Sequence, residues 1–489
     1  MPRILNTGEL TSHGNIAGRR AMVEILEAGL QAVDPYFNTL KLMRRRGNIL
    51  TIGGPDFEPH GDPQGGRPEV IDLDSVNRIF VFGAGKGIQR SAKAIEEILG
   101  DRLTGGHVID KKGTPLILEN IGVTFGAHPV PDEDCVRGCR RILEMTRDLR
   151  EDDLVFTTVS NGVSSLLTLP APGLTLADVG QVTHLMQIER GLHTSELGPV
   201  RNQLDQMKGG RLSRHIQPAR AIHLVNHWLW AYDDLMYRNR WLHSLPTYST
   251  FDMAVNLLKK WNCWDDVSPA VREHLLRADP AQDTVKAAEF QKNRFRIFCT
   301  LPDHLGAIPA ARQKAREFGF KPILLYDNNV MSVEAAQMGK VVANMARHSE
   351  QDGQPFEPPC ALIGRTELLV TVGAERGMGG RNQEYALAAA LEIAGTEHVV
   401  MGSVDTDGTD GPGHQFVDGC DDIPVLTGGV VDGTSAARAR ELGIDLFEAI
   451  KTHNTSPAIY RLGDGVVASP SLSMIDLSVT LVLGRSNRT

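Results

Sequence analysis

Short apolar runs bounded by glycine alternate with stretches of helical period along almost the whole chain. Arg19 to Val33 spaces its apolar residues as an amphipathic helix does, and Gly53 to Arg67, rich in Gly and Pro, reads as a loop. Arg78-Ile79-Phe80-Val81-Phe82 has the pattern of a buried strand; it enters Gly83-Ala84-Gly85-Lys86-Gly87 and then a helix from Ile88 to Leu99. Asp153 to Val159 is a second such strand, running into Ser160-Asn161-Gly162-Val163-Ser164-Ser165. Phe295 to Thr300 and Pro322 to Leu325 read as strands, and Pro309 to Phe318 and Val333 to Ala346 as helices, which makes a regular βαβα unit. His348 to Pro359 is a polar loop or hinge, Ala361 to Val372 holds strands, Val399 to Val404 is a buried strand, and Leu477 to Leu483 is a late one. Tyr385 to Ile393 is an apolar helical run. Strands alternating with helices predict an α/β protein with largely parallel sheets.

The 489 residues exceed what one hydrophobic core usually organises, so two α/β domains are expected. The break falls between about 265 and 290, where Asp266, Pro269, Asp279 and Pro280 interrupt the pattern, giving domains over 15–280 and 285–484. A composition that is 41% hydrophobic and 23% charged suits large soluble cores. The net charge of −9 argues against nucleic acid, which needs a basic surface. The absence of a signal-like start and of any apolar run of about 18 residues predicts a cytoplasmic protein without membrane spans. The six cysteines form no CxxC pair; reduced thiols are expected, with a zinc at Cys135 and Cys139 the weaker alternative. All five tryptophans (Trp228, Trp230, Trp241, Trp261, Trp264) and Tyr232, Tyr237 and Tyr248 crowd into one segment. That segment is a helical layer packed on the sheet, a subunit interface that would make a homodimer, or an aromatic substrate wall.

Candidate chemistry gathers on glycine turns. Gly379-Gly380-Arg381-Asn382-Gln383-Glu384 sets an arginine at a helix start, where backbone N–H groups and the helix dipole favour an anion. Asp405-Thr406-Asp407-Gly408-Thr409-Asp410-Gly411 spaces three carboxylates on a turn after a strand, an arrangement suited to Mg²⁺. The turn holding Gly85 and Lys86 resembles a phosphate cradle without being a Walker A or full GxGxxG sequence, and Lys86 could equally be a solvated surface group. Ser160, Asn161 and Ser164 suit a small polar ligand or, equally, a capped helix start; a serine nucleophile is conceivable, but the G-x-S-x-G elbow is absent. Lys208-Gly209-Gly210-Arg211 offers cations or a solvated helix end, and His128 sits on the stiff loop His128-Pro129-Val130-Pro131-Asp132, where a histidine more often packs than catalyses.

The order of these motifs, with Val200-Arg201-Asn202 leading to Lys208-Gly209-Gly210-Arg211-Leu212, closely resembles the glycerate 2-kinase family over roughly residues 15 to 484. GGRNQE and DTDGxDGP are its specific signatures. The resemblance implies a glycerate-kinase domain followed by a C-terminal domain with a MOFRL-like region over about 360–484, and an active site in the cleft between two α/β domains. It implies ATP- and Mg²⁺-dependent phosphorylation of the 2-hydroxyl of D-glycerate or a related small hydroxy acid. Lys86 and Arg381 would be the catalytic cations and Asp405, Asp407 and Asp410 the metal ligands, with Asp407 or a neighbour accepting the hydroxyl proton. Gly85, Ser160, Asn161, Ser164, Arg201, Lys208, Arg211, Asn382 and Glu384 would bind substrate or nucleotide. Some members have been called hydroxypyruvate reductases, but no complete dinucleotide fingerprint is present here.

Several family stretches are altered. The usual Ser-Asp-Val is Val225-Asn226-His227, Ser-Gly-Pro-Thr is Ser244-Leu245-Pro246-Thr247 behind a Trp- and Tyr-rich insertion, and Gly-Pro-Thr-Gly-Thr-Asn is Ala468-Ser469-Pro470-Ser471-Leu472-Ser473. Asn161 and Val163 replace two glycines of a serine-flanked turn, and Gly-Gly-Glu-Thr reads Arg365-Thr366-Glu367-Leu368. A side chain in place of such a glycine reshapes an anion pocket. A divergent member acting on another hydroxy acid is therefore expected. The alternatives are a Mg²⁺-dependent lyase, isomerase or hydrolase that reuses the pocket without ATP, and a non-catalytic binding protein.

Overall fold

The computed structural model describes residues 2–54, 56–128, 130–190, 194–228, 230–302, 306–373, 375–411, 413–416, 420–472 and 475–484. Pro129, Pro412 and Ser473 of the motifs above, and the Trp228 side chain, lie outside the described residues. The chain divides into two compact units: Pro35–Asp303, the first domain, and Met1–Asp34 with His304–Thr489, the second.

The first domain opens with a small antiparallel sheet, β1 (Met43–Arg46), β2 (Ile49–Ile52) and β3 (Glu69–Asp72). Its main sheet holds β4 (Ile79–Ala84), β5 (Gly105–Lys111), β6 (Gly122–Gly126), β7 (Leu154–Val159), β8 (Arg220–Trp228) and β9 (Phe295–Leu301), in the order β6-β5-β4-β7-β8-β9. Every neighbouring pair is parallel. Strands in such a sheet are covered by packing, and β4, β7 and β9 are buried at every residue, with Thr157, Thr158, Arg296 and Thr300 among otherwise apolar positions. The order starts at β4, runs outward to β6, then returns to β7 and runs outward the other way. The gap between the C-terminal ends of β4 and β7 is therefore a topological switch point, the place where open α/β sheets bind ligands.

In the second domain β10 (Lys321–Glu334), β11 (Cys360–Leu369), β12 (Val399–Asp405), β13 (Gly428–Asp432), β14 (Gly465–Val466) and β15 (Asp476–Val482) form a sheet in the order β10-β11-β15-β12-β13-β14. Here the expectation of largely parallel strands needs correcting. Only β10 and β11, joined through the helix Ala335–Asp352, are parallel; β15 enters between β11 and β12 and runs against both, and β13 and β14 continue antiparallel. Alternating strands and helices cannot announce a late strand that inserts into the middle of a sheet.

The domain limits also differ from the sequence reading, for packing reasons. β9 closes the first sheet against β8, so the first domain runs past residue 280. The helix Ile16–Ala32 belongs with the second domain, packing on β12, β15 and the helix Ala307–Glu317. Arg19 anchors it: the guanidinium is fully buried, pairs with Asp432 at 2.5 Å and Asp464 at 2.9 Å, and these two carboxylates outweigh burial to raise its pKa.

Candidate active site

At the switch point the two glycine turns are tied to each other. The Lys86 N–H donates to the Asn161 carbonyl at 2.7 Å, and Ser160 Oγ donates to the Lys86 carbonyl at 2.9 Å. Gly85 has φ +143°, and a Cβ there would lie 2.0 Å from Ser160 Oγ, so glycine is what lets β4 and β7 approach this closely. Gly162 does the same on the other side: its missing Cβ would lie 3.0 Å from both Lys86 Cγ and His128 Cδ2. Lys86, Asn161, Gly162 and His128 thus form one cluster. Burial, then the charges of Lys86, Lys111 and Arg201, push the His128 pKa down to about 4, so the imidazole is neutral in a cationic surrounding.

The helix start after Lys86 is not an open anion cradle. Asp110 accepts from the Gly87 N–H at 3.0 Å, from Gln89 Nε2 at 3.1 Å and from the Gln89 backbone, and its pKa is raised by burial. A carboxylate of the protein already holds the place that the sequence assigned to a ligand phosphate.

Ser164 faces a cavity of about 810 Å³ inside the first domain, lined also by His128, Asn161, Arg201, Trp230 and Trp241. Arg201 is buried among these groups, and burial lowers its pKa to about 10, which leaves it charged at neutral pH. The aromatic-rich segment therefore divides: Trp230 and Trp241 line the cavity, whereas Trp261 and Trp264 pack against a separate helical core with Phe251, Leu258 and Val271.

Lys208 and Arg211 lie outside that lining. Lys208 is 1% exposed, with Nζ 2.5 Å from Asp205 and 2.8 Å from Thr168 Oγ1; Arg211 donates to the carbonyls of Asn202, Lys208 and Gln282. Both cations are bonded within the fold. Lys208→Met is accordingly expected to cost about 3–5 kcal/mol in urea unfolding, the scale for leaving a buried carboxylate unpaired, with KM for the acid unmoved. A raised KM in a variant of unchanged stability would return Lys208 to ligand contact.

The second domain carries its own cluster. Arg381 opens the helix Arg381–Glu392 and lies between carboxylates: Nε is 2.5 Å from Asp476 Oδ2, and Nη2 is 3.0 Å from Asp476 Oδ1 and from Asp405 Oδ2, with Glu367 at 3.7 Å. Nη1 has no partner among the described residues. Burial works against the charge, but Asp476 and Asp405 outweigh it and hold the Arg381 pKa above its usual value. Burial raises Asp476 to about 6, and burial with the neighbouring charges of Asp407 and Asp476 raises Asp405 well above the carboxylate range.

Asp410 plays a different part from the one its spacing suggested. Its carboxylate accepts from the Asn382 N–H at 3.1 Å, Asn382 Nδ2 at 3.0 Å and the Gln383 N–H at 2.9 Å, so it caps the helix that Arg381 begins. Gly380 makes room, since a Cβ there would lie 2.3 Å from Asp410 Cγ. Asn382 also accepts from Ser403 at 2.6 Å, and Glu384, its pKa raised by burial, pairs with His453 Nδ1 at 2.6 Å. Asn382 and Glu384 are thus bonded within the fold. Asp407 is half-buried and the most exposed of the three aspartates, with Oδ1 accepting the Thr409 N–H at 2.7 Å.

The fit to a resident metal is poor. Among the described residues no three acidic, His or Cys side chains converge as a ligand set. Asp410 serves the helix and Asp405 serves Arg381, so the Asp405, Asp407 and Asp410 trio does not form a metal cage, and a Mg²⁺ would have to draw most of its ligands from a bound nucleotide and water.

Two family models match the chain: a "Domain of unknown function (DUF4147)" over residues 21–276 and the "MOFRL family" over residues 360–475. A glycerate 2-kinase from Pyrococcus horikoshii is 28% identical over 478 residues, covering 96% of this chain and 99% of the relative. The chain belongs to the glycerate 2-kinase family. A D-glycerate 2-kinase from Thermotoga maritima is 29% identical over 85% of this chain and 93% of its own. The crystal structure of a glycerate kinase from Thermotoga maritima superposes with TM-score 0.71 and 27% identity, covering 96% of this chain and 100% of that one. That of a protein from Pyrococcus horikoshii gives 0.70 and 26%, covering 96% and 99%.

Within this family member, the sequence did not single out Asp476, Asp110 or His243. Asp476 immediately precedes an expected strand, and a carboxylate at a strand start facing an arginine was the available signal. Asn226, read from the sequence as standing in place of a family aspartate, is fully buried; it donates to Thr158 Oγ1 at 2.8 Å and Ser91 Oγ at 3.1 Å and accepts from Thr300 at 3.2 Å. A neutral amide is satisfied by three hydroxyls where a carboxylate would have been buried without a cation in the network.

Proposed function

We propose that the protein is an ATP- and Mg²⁺-dependent kinase that phosphorylates the 2-hydroxyl of a small 2-hydroxy acid, with D-glycerate the first candidate. Relatives named glycerate 2-kinase and glycerate kinase, phosphotransferases with an alcohol group as acceptor, support this reading. The observation that carries the reading is the placement of Lys86, the Ser160 turn and neutral His128 at the switch point of a doubly wound parallel sheet. Phosphoryl transfer asks a protein mainly for positioning and for charge stabilisation on the moving group. Lys86, fixed through its own peptide by Ser160 and Asn161, supplies one such cation, and Arg381, held by Asp476 and Asp405, supplies the other. Asp407, the most exposed of the three aspartates, is assigned to take the hydroxyl proton. Ser164, Asn161 and Arg201 are assigned to the substrate carboxylate. Among the described residues no helix is long and apolar enough to cross a membrane.

The test is ADP release with Mg-ATP across a panel of 2-hydroxy acids. Acid-dependent ADP release that falls by at least about a hundredfold in Lys86→Ala is expected. Conversion of an acid without ADP formation would replace the kinase by ATP-independent chemistry.

A further inference from the structure

The cavity beside Ser164 has two chemically distinct ends. At the polar end Gly209 N–H donates to His243 Nδ1 at 3.4 Å, and His243 Nε2 lies 2.9 Å from Ser164 Oγ. Burial, then the charges of Lys208, Arg201 and Arg211, keep His243 neutral. With Nδ1 accepting, the ring proton sits on Nε2 and is donated to Ser164. His243 is therefore no base for Ser164. It fixes the hydroxyl so that the serine's own proton can be given to a ligand oxygen, beside the Arg201 guanidinium.

The other end carries the larger apolar groups, with Asp234, Arg238, Asn239 and Arg240 also in the lining. Trp230 donates its indole N–H to His227 Nδ1 at 3.1 Å, and Trp241 packs edge-on to the same imidazole with ring centroids 5.4 Å apart. The polar edge of Trp230 is satisfied within the wall, and Leu235 and Leu242 extend the apolar surface. A three-carbon acid leaves most of about 810 Å³ empty, since cavities of this size (roughly 300–1,000 Å³) hold drug-sized ligands.

Resting on the kinase reading above, we propose that the preferred acceptor is a 2-hydroxy acid with a bulky apolar side chain. Its carboxylate binds at Ser164 and Arg201, and its side chain lies against Trp230 and Trp241. The segment that supplies the wall is one of the stretches that the sequence reading set apart from the family pattern.

The test is calorimetric titration of the whole protein, without nucleotide, with D-3-phenyllactate and D-glycerate, followed by ADP release with each acid. Phenyllactate is expected to bind about tenfold or more tighter than glycerate, the scale of added apolar contact. Trp241→Leu should cut that preference by a similar factor, and Ser164→Ala should weaken both acids together. Equal or weaker binding of phenyllactate overturns the proposal, even if glycerate is phosphorylated and the kinase reading stands. So does displacement of phenyllactate by adenosine, which would make the cavity a nucleotide-base site. Phenyllactate binding with the expected variant effects, but ADP release with neither acid, supports the cavity assignment and removes the kinase reading instead.

Discussion

Arg381→Ala is expected to lower acid-dependent ADP release by about a thousandfold, the lower end of what an arginine on a transferring phosphoryl group contributes. Asp476 and Asp405 hold Nε and Nη2 from one side, so the guanidinium enters the reaction already oriented, with Nη1 left over among the described residues. Arg381→Lys should recover little, because an ammonium cannot span two carboxylates while presenting a further donor. The variant also carries a pH signature. Burial already raises Asp476 to about 6 and Asp405 further, and Arg381 is the cation opposing that rise. A carboxyl whose folded pKa is raised contributes stability at low pH that is lost as pH climbs through that value. Without Arg381 both values move higher still, so urea unfolding should find the variant's deficit larger at pH 8 than at pH 5. A deficit independent of pH would mean that the two carboxyls do not face Arg381 as described.

Gly85→Ala is expected to damage stability and turnover together. The φ of +143° disfavours any side chain, and the new Cβ would meet the Ser160 backbone at 2.8 Å and 2.9 Å as well as its hydroxyl at 2.0 Å. The hydroxyl can rotate away, but the backbone of the turn after β7 cannot yield without separating from β4, and the Ser160 bond to the Lys86 carbonyl is lost with it. A loss on the order of 3 kcal/mol is expected, in the range set by strain and overpacking at a special backbone position. Gly113→Ala is the control: its φ is +90° but nothing lies within 4 Å of the new Cβ, so it reports strain alone. Equal losses in urea unfolding of the two variants would show that the strand approach at Gly85 is not close-packed.

What the sequence revealed follows from how local each feature is. β4, β7 and β9 are buried at every residue, so these mostly apolar stretches were plain, and so were the glycine turns that follow β4 and β7. Helix starts misled, because the sequence shows which N–H groups need an acceptor but not which distant carboxylate provides it. Asp110 reaches the helix of Ile88–Leu99 from the end of β5, and Asp410 reaches the helix of Arg381–Glu392 from 28 positions along the chain. The same limit hid the fate of Lys208 and Arg211, whose partners are buried oxygens rather than water. The place of β15 between β11 and β12 was invisible for a related reason: strand order is a property of pairing, and no local pattern encodes it.

The second domain is interrupted in sequence, and this governs the order in which a growing chain can fold. When residue 303 has been synthesised, every strand of the first domain exists, but the helix Ile16–Ala32 has none of the strands it packs on. The helix Ala307–Glu317 emerges first, but β12 and β15, which complete the cover of the apolar face of Ile16–Ala32, come more than 350 residues after that face is made. Closing so long a loop makes the second domain the later and slower to form. A ribosome-released fragment ending near residue 303 would then expose an unpartnered amphipathic helix, the kind of surface on which chaperones and proteases act.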